Sequence, residues 1–286
     1  MRRALLLLAL ATPLPALAQG IDMSRGGPIT VDAKGGFEWR ENERMVIATG
    51  DARASRGTST VTADKLIAYY RKKSAANPTR TAAGADAEGG NEIYRLVAEG
   101  NVRIYTPSDE AQGDHGVYDI DQAVLVLTGK NLKLTTPQQL ITARDSLEYW
   151  SDKRMSVARG EAVVITSDAR RLAGDVIVGY SEPDSQPAKT AAKPASDLPG
   201  ESGKLKRIEA FGNVEVRTAT DVVRGERGVY VTETRMARVV DNVRLTHNDT
   251  QMRGAAADIN METGIAHLVA LPGKRVQGLI VPDKKP

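Results

Sequence analysis

A two-part signature recurs along this chain at a nearly constant interval, and that regularity limits the fold more than any single residue does. Leu96-Val-Ala-Glu-Gly-Asn-Val-Arg-Ile-Tyr105 and Ile208-Glu-Ala-Phe-Gly-Asn-Val-Glu-Val-Arg217 are close copies. Each is followed by a second copied block, Gly113-Asp-His-Gly-Val-Tyr118 and Gly225-Glu-Arg-Gly-Val-Tyr230. Weaker copies surround Gly50, Gly129, Gly160 and Asp241. The pivots Gly50, Gly100, Gly129, Gly160, Gly212 and Asp241 are separated by 50, 29, 31, 52 and 29 residues. Both long gaps hold a low-complexity stretch, 74–92 and 182–204, and discounting about 20 residues for each leaves a period near 30. A period of that size means one supersecondary unit stacked repeatedly.

Within the best copies the apolar residues alternate. Leu96, Ala98, Gly100, Val102 and Ile104 share one parity, and Arg95, Glu99, Asn101 and Arg103 the other. Ile208, Ala210, Gly212, Val214 and Val216 repeat the pattern, as do Val239, Val243 and Leu245. Period two with one apolar face predicts half-buried antiparallel strands. The glycine is expected at the inward midpoint of a strand that turns a corner between two sheets. The blocks beginning at Thr62, Thr142, Leu172 and Arg253 read as return strands. The fold class expected is therefore all-β: an antiparallel jelly roll or solenoid-like stack of about seven two-strand repeats. With one strand per sheet from each unit, the stack would be roughly 30–35 Å long.

The ends read differently. Residues 1–18 have the form of a cleavable signal peptide, with Arg2 and Arg3, an apolar run from Ala4 to Ala11, and Ala16-Leu17-Ala18 before Gln19. The boundaries expected after it are a tail over 19–28, the β-domain over 29–271 with insertions at 74–92 and 182–204, and a tail over 272–286. The insertions are rich in Ala, Pro, Gly, Ser and Lys and read as flexible loops. Export without a single cysteine implies a fold that needs no disulfide. Only two Phe and two Trp are present, so the core must be built from Val, Ile, Leu and Ala. The formal charge of +3 drops by two with Arg2 and Arg3, and charges of both signs are interspersed along the strands. Nothing in that pattern resembles the basic stripe of a nucleic-acid binder, and no nucleic-acid partner is expected.

Catalytic constellations are weak. His115, His247 and His267 lack metal-ligand spacing, no nucleophile elbow or phosphate loop occurs, and the acids sit at repeat positions. No catalytic residue, metal or cofactor is expected. An enzyme acting on glycans from a solenoid face is the remaining catalytic alternative, with no acid pair to nominate.

The copied blocks carry a resemblance. Ile47-Ala-Thr-Gly-Asp-Ala52, Thr62-Ala-Asp-Lys-Leu66, Val97-Ala-Glu-Gly-Asn-Val102 and Glu209-Ala-Phe-Gly-Asn-Val214, behind a signal peptide, resemble the OstA-like family. That family includes the periplasmic lipopolysaccharide-transport protein LptA and the N-terminal domain of the translocon LptD. The resemblance implies a periplasmic carrier holding the acyl chains of lipid A in an apolar groove. It implies LptC-like inner-membrane and LptD-like outer-membrane partners at the edge strands, and head-to-tail self-association. The inward residues Val46, Ala48, Leu96, Ala98, Val102, Ile104, Ile208, Val214, Val216, Val243 and Leu245 are then the lipid-facing candidates, against the alternative that they fill a closed core. Two other readings are an LptC-type membrane-anchored component and a structural β-solenoid that binds no lipid.

Overall fold

The computed structural model describes residues 29–72, 91–182, 204–248, 250–270 and 275–279. The expected signal peptide and the 19–28 tail lie outside these residues, as do nearly all of 74–92 and 182–204. Eighteen strands form one antiparallel sheet. They are β1 (Thr30–Asp32), β2 (Gly36–Arg40), β3 (Met45–Arg56), β4 (Ser59–Lys72), β5 (Asn91–Tyr105) and β6 (Glu110–Asp119). Four short strands follow, β7 (Val124–Thr128), β8 (Leu132–Thr135), β9 (Gln139–Ala143) and β10 (Ser146–Trp150). Long strands then resume with β11 (Met155–Thr166), β12 (Arg171–Glu182), β13 (Lys204–Arg217), β14 (Asp221–Val231), β15 (Met236–His247) and β16 (Thr250–Asn260). β17 (Ala266–Val269) and β18 (Gln277–Leu279) close the series.

These eighteen strands make fourteen rungs of a ladder, because β1 with β2, β7 with β8, β9 with β10, and β17 with β18 are each one rung broken at its middle. Every rung crosses the molecule and bends once. On one side of the bend lies half-sheet I, which contains β2, β7, β10 and β17; on the other lies half-sheet II, with β1, β8, β9 and β18. The register slips at the bend in β3 (Thr49/Ala52), β5 (Glu99/Val102), β11 (Arg159/Ala162), β13 (Phe211/Val214) and β15 (Val240/Val243). At each slip two successive residues have positive φ, as in Gly100 (76°) with Asn101 (49°) and Gly212 (70°) with Asn213 (50°). One extra residue in left-handed geometry kinks the strand and tightens its twist.

Three expectations change here. Both strands of each repeat serve both half-sheets, so the ladder is about 60 Å long, roughly twice the length expected. The bend glycine also does not face the interior. A Cβ on Gly100 would lie 2.1 Å from Asp64 Oδ2, and one on Gly212 would lie 2.1 Å from Asp175 Oδ2. Both carboxylates are exposed at the outer corner. The left-handed pair rotates the glycine away from the parity of its neighbours, so counting by twos misplaces it. The expected C-terminal tail, 272–286, also differs: its residues Gln277–Leu279 pair with Gln251–Arg253 of β16 as a strand of half-sheet II.

The inward rows explain the folding of the ladder onto itself. In half-sheet I one row reads Phe37, Ala48, Leu66, Ala98, Gly116, Leu127, Leu147 and Ala158. It continues through Ile177, Ala210, Gly228, Val239, Ala257 and Leu268. In half-sheet II the opposing row runs Val31, Ala54, Val61, Ile104, Ala111, Leu134 and Ile141. Val164, Leu172, Val216, Val223, Leu245 and Met252 complete it. No polar side chain interrupts either row. Burying them against each other is the dominant favourable term at ~25 cal/mol per Å². The outer face departs from strict alternation, since Ile47, Ile67, Val157 and Val178 are also buried. Long neighbours on that face, such as the Lys65–Glu99 ion pair at 2.7 Å, lend aliphatic stems that cover such positions.

Candidate functional site

The interior changes character along its length. At its centre it is packed solid: Leu134 is 0% exposed, Leu132 1% and Tyr149 2%, and Leu127, Leu147 and Ala162 are buried beside them. Toward the N-terminal rung the two inward rows diverge around a cavity of about 250 Å³. Val46, Ala48, Leu66, Leu96, Ala98 and Leu125 wall it from half-sheet I, and Val31, Ala54, Val61 and Ile104 from half-sheet II. No charged side chain lines it. It opens past Phe37, whose ring is 58% exposed on the terminal strand β2. A second hollow of about 430 Å³ lies at the C-terminal end, between Val216, Val223 and Leu245 on one side and Ile259, Met261 and Ala266 on the other. Its rim is polar, with Asp168, Thr218 and Asp221.

The eleven residues singled out from the sequence all lie on the inward face, but not in one place. Val46, Ala48, Leu96, Ala98 and Ile104 line the N-terminal cavity. Val102 sits in the packed core against Gly116, whose Cβ position is 3.5 Å from Val102 Cγ1. Ile208 and Val214 belong to the same core further along. Val216 bridges to a smaller cluster that holds Val243 and Leu245, and Val216 and Leu245 also line the C-terminal hollow. Sequence reasoning missed Phe37, Val31, Ala54, Val61, Leu66 and Leu125, which also line the cavity. Leu66 could have been found by parity from Ala68, but β1 and β2 are too short to show a period.

The N-terminal cavity is free of charged side chains, and the buried Arg56, Asp109 and Asp119 lie outside its wall. Glu148 on β10 accepts hydrogen bonds from Ser146 Oγ (3.0 Å), Trp150 Nε1 (3.1 Å) and Arg159 Nε (2.7 Å) on the outer face. Burial pushes its pKa up, yet these donors outweigh that and hold it below the ordinary carboxylate range. Arg71 ties Glu92 (2.7 Å) to Asp121 (2.7 Å), and those two carboxylates hold its guanidinium more strongly protonated than usual. The three histidines lie on β6, β15 and β17, and His247 Nδ1 meets Asp221 Oδ1 at 2.7 Å. Among the described residues no His, Asp and Glu cluster has the arrangement of a metal centre.

Both ends of the ladder are open edges with apolar side chains. Among the described residues β1 and β2 pair only with β3, and β17 and β18 only with β16. Val31, Phe37 and Trp39 are exposed at one end, and Val269, Val276 and Leu279 at the other. Unpaired N–H and C=O groups beside exposed apolar side chains are a template for a further strand.

Two family models match the chain. Residues 30–146 match the LptA/(LptD N-terminal domain) LPS transport protein model, and residues 195–281 match the OstA-like protein model. An uncharacterised protein of Rhizobium meliloti (strain 1021) is 26% identical over 128 residues, which is 44% of this chain and 63% of that protein's length. Among solved structures the chain is similar to LptH of Pseudomonas aeruginosa, described as the LptA homologous periplasmic component of the conserved lipopolysaccharide transport device. That similarity covers 50% of this chain and 95% of LptH, at 16% identity and a TM-score of 0.38.

Proposed function

Because this chain belongs to the OstA-like family of lipopolysaccharide-transport proteins, we propose that it is a periplasmic carrier that shelters the acyl chains of lipid A on the way to the outer membrane. The observation that carries this reading is the N-terminal cavity: about 250 Å³, walled without a charged side chain, and opening at the terminal rung beside Phe37. Each methylene buried there contributes about 0.8 kcal/mol, enough in sum to hold a lipid away from water. The role needs binding and release only, so no catalytic group enters it. The lipid-facing surface begins with Val46, Ala48, Leu96, Ala98 and Ile104. Val102, Ile208, Val214, Val216, Val243 and Leu245 would join it only where the packed centre separates.

The exposed edges support partners of the same architecture. An LptC-like component, an LptD-like component or a second copy would each extend the ladder by strand addition and continue the apolar interior. A scaffold that polymerises through these edges without carrying lipid is the second reading, favoured by the solid packing around Leu132 and Leu134.

Photo-crosslinkers separate the two readings. Placed at Leu96 and Ile104 they should capture lipopolysaccharide, while the same groups at Glu99 and Arg103 should not. Equal labelling of both faces, or none at either, would sink the carrier and leave the scaffold.

A further inference from the structure

The outward face of half-sheet II is strongly basic over the C-terminal rungs. Arg171 opposes Arg217 across β12 and β13, and Arg224, Arg244 and Arg253 form a line of direct register partners across β14, β15 and β16. Five arginines lie on five neighbouring strands, and three of them pair with Glu215 of β13. Glu215 is fully committed: Arg171 Nη1 stands 2.9 Å from it, Arg217 Nη2 3.2 Å and Arg224 Nη2 2.8 Å. Arg244 and Arg253 are exposed and form no ion pair among the described residues. Like charges set directly opposite one another destabilise a strand pair. A line of three is therefore a feature that an anion would stabilise.

The line borders a hollow of about 770 Å³ at the corner of the ladder, where Asn213 and Asn242 mark the bends of β13 and β15. Arg224, Arg244 and Arg253 all reach it, and Glu215 and Glu226 supply its two carboxylates. We propose that this hollow is an anion site for a phosphate or diphosphate group, free or carried on a lipid headgroup, held by Arg244 and Arg253 with Arg224 alongside. A guanidinium offers a planar pair of donors that matches two phosphate oxygens. Rungs about 4.8 Å apart let adjacent guanidiniums take one phosphate between them or one phosphate each of a diphosphate. The site lies on the opposite face of the sheet from the apolar cavity, so it is independent of what the interior carries.

The test uses the mature chain at low ionic strength, as wild type and as the Arg244→Ser/Arg253→Ser variant. Sodium diphosphate is titrated calorimetrically, and phosphatidylcholine vesicles with and without phosphatidylglycerol are tested by co-sedimentation. Wild type should bind an anionic probe, the variant should bind it at least tenfold more weakly, and added salt should weaken binding steeply. Binding of diphosphate alone identifies a free phosphate as the ligand; binding of anionic vesicles alone identifies a headgroup. Arg238→Ser, which removes a partner 3.6 Å from Asp258, should leave binding unchanged. The double variant should melt no lower than wild type, since it relieves repulsion. Arg253→Gln alone should weaken binding several-fold and serves if the double variant melts lower. Binding of neither anionic probe by wild type, or equal binding by the variants, overturns the proposal.

Discussion

Asn101 on β5 donates its side-chain amide to both carboxylate oxygens of Asp64 on β4, at 2.9 and 3.2 Å, across the corner where the two half-sheets meet. Asn213 and Asp175 repeat the arrangement six rungs on, at 3.0 and 3.1 Å. In the rungs between, the Lys130 N–H donates to Asp114 Oδ2 at 2.6 Å, and Asp145 stands against Gly160. The corner is thus a series of staples, each an acid on one strand received by a glycine-containing bend on the next.

That arrangement predicts a steep cost for side chains at the bend. Gly100→Ala places a methyl on the Asp64 carboxylate and also strains a left-handed residue, so it should destabilise by about 2–4 kcal/mol. Gly57→Ala, at φ 56° with nothing within 4 Å, should cost only about 1 kcal/mol. In an Asp64→Ala background the Gly100→Ala penalty should shrink toward the Gly57 value. Urea denaturation of the four variants measures all three quantities, and equal penalties at both glycines would refute the staple.

The packed centre and the open N-terminal end should respond differently to truncation. Leu134→Ala empties a fully enclosed site and should cost about 3–5 kcal/mol. Leu96→Ala enlarges an existing cavity and should cost less than about 2 kcal/mol. The same denaturation experiment decides, and a Leu96 penalty as large as that of Leu134 would mean that the end is as tightly packed as the centre.

Acid should weaken the protein partly through Glu148. Its folded pKa is depressed, so its contribution is present above the ordinary glutamate value of about 4.3 and is lost as pH falls below that. Glu148→Gln should therefore be about 1–2 kcal/mol less stable than wild type near pH 7. The gap should close as pH drops toward 3, as read from thermal midpoints across that range. A gap independent of pH would show that Glu148 acts by packing alone.

The open edges should be sensitive to charge. Phe37→Lys and Leu279→Lys each put an ammonium on a terminal rung, a device that blunts strand addition. If copies join end to end, either change should raise the dissociation constant by at least about tenfold in sedimentation experiments. No change from either substitution would place any self-association elsewhere.

The bends are legible in the chain because Gly50, Gly100, Gly129, Gly160, Gly212 and Asp241 recur at a period near 30 once the two low-complexity stretches are discounted, and all six have positive φ. The inward rows were legible from parity. Asp64 and Asp175 were not recognised as staples, because an acid read along its own strand resembles any solvated turn; its partner lies 37 or 38 residues away. The arginine face was hidden for the same reason. Arg171, Arg217, Arg224, Arg244 and Arg253 are scattered among acids in the chain, and only the register of five strands aligns them.

The recurring Gly-Asn unit and its period-two apolar pattern can be read from the chain alone. Alternation and left-handed tolerance are properties of neighbouring residues, and they need no tertiary knowledge to be read. Folding adds that each long strand serves both half-sheets, that the interior is solid at Leu132 and Leu134 but open at Phe37, and that five arginines share one face. Those depend on how far opposed rows stand apart and which strands align. Both are fixed by packing across the ladder, where residues distant in the chain meet.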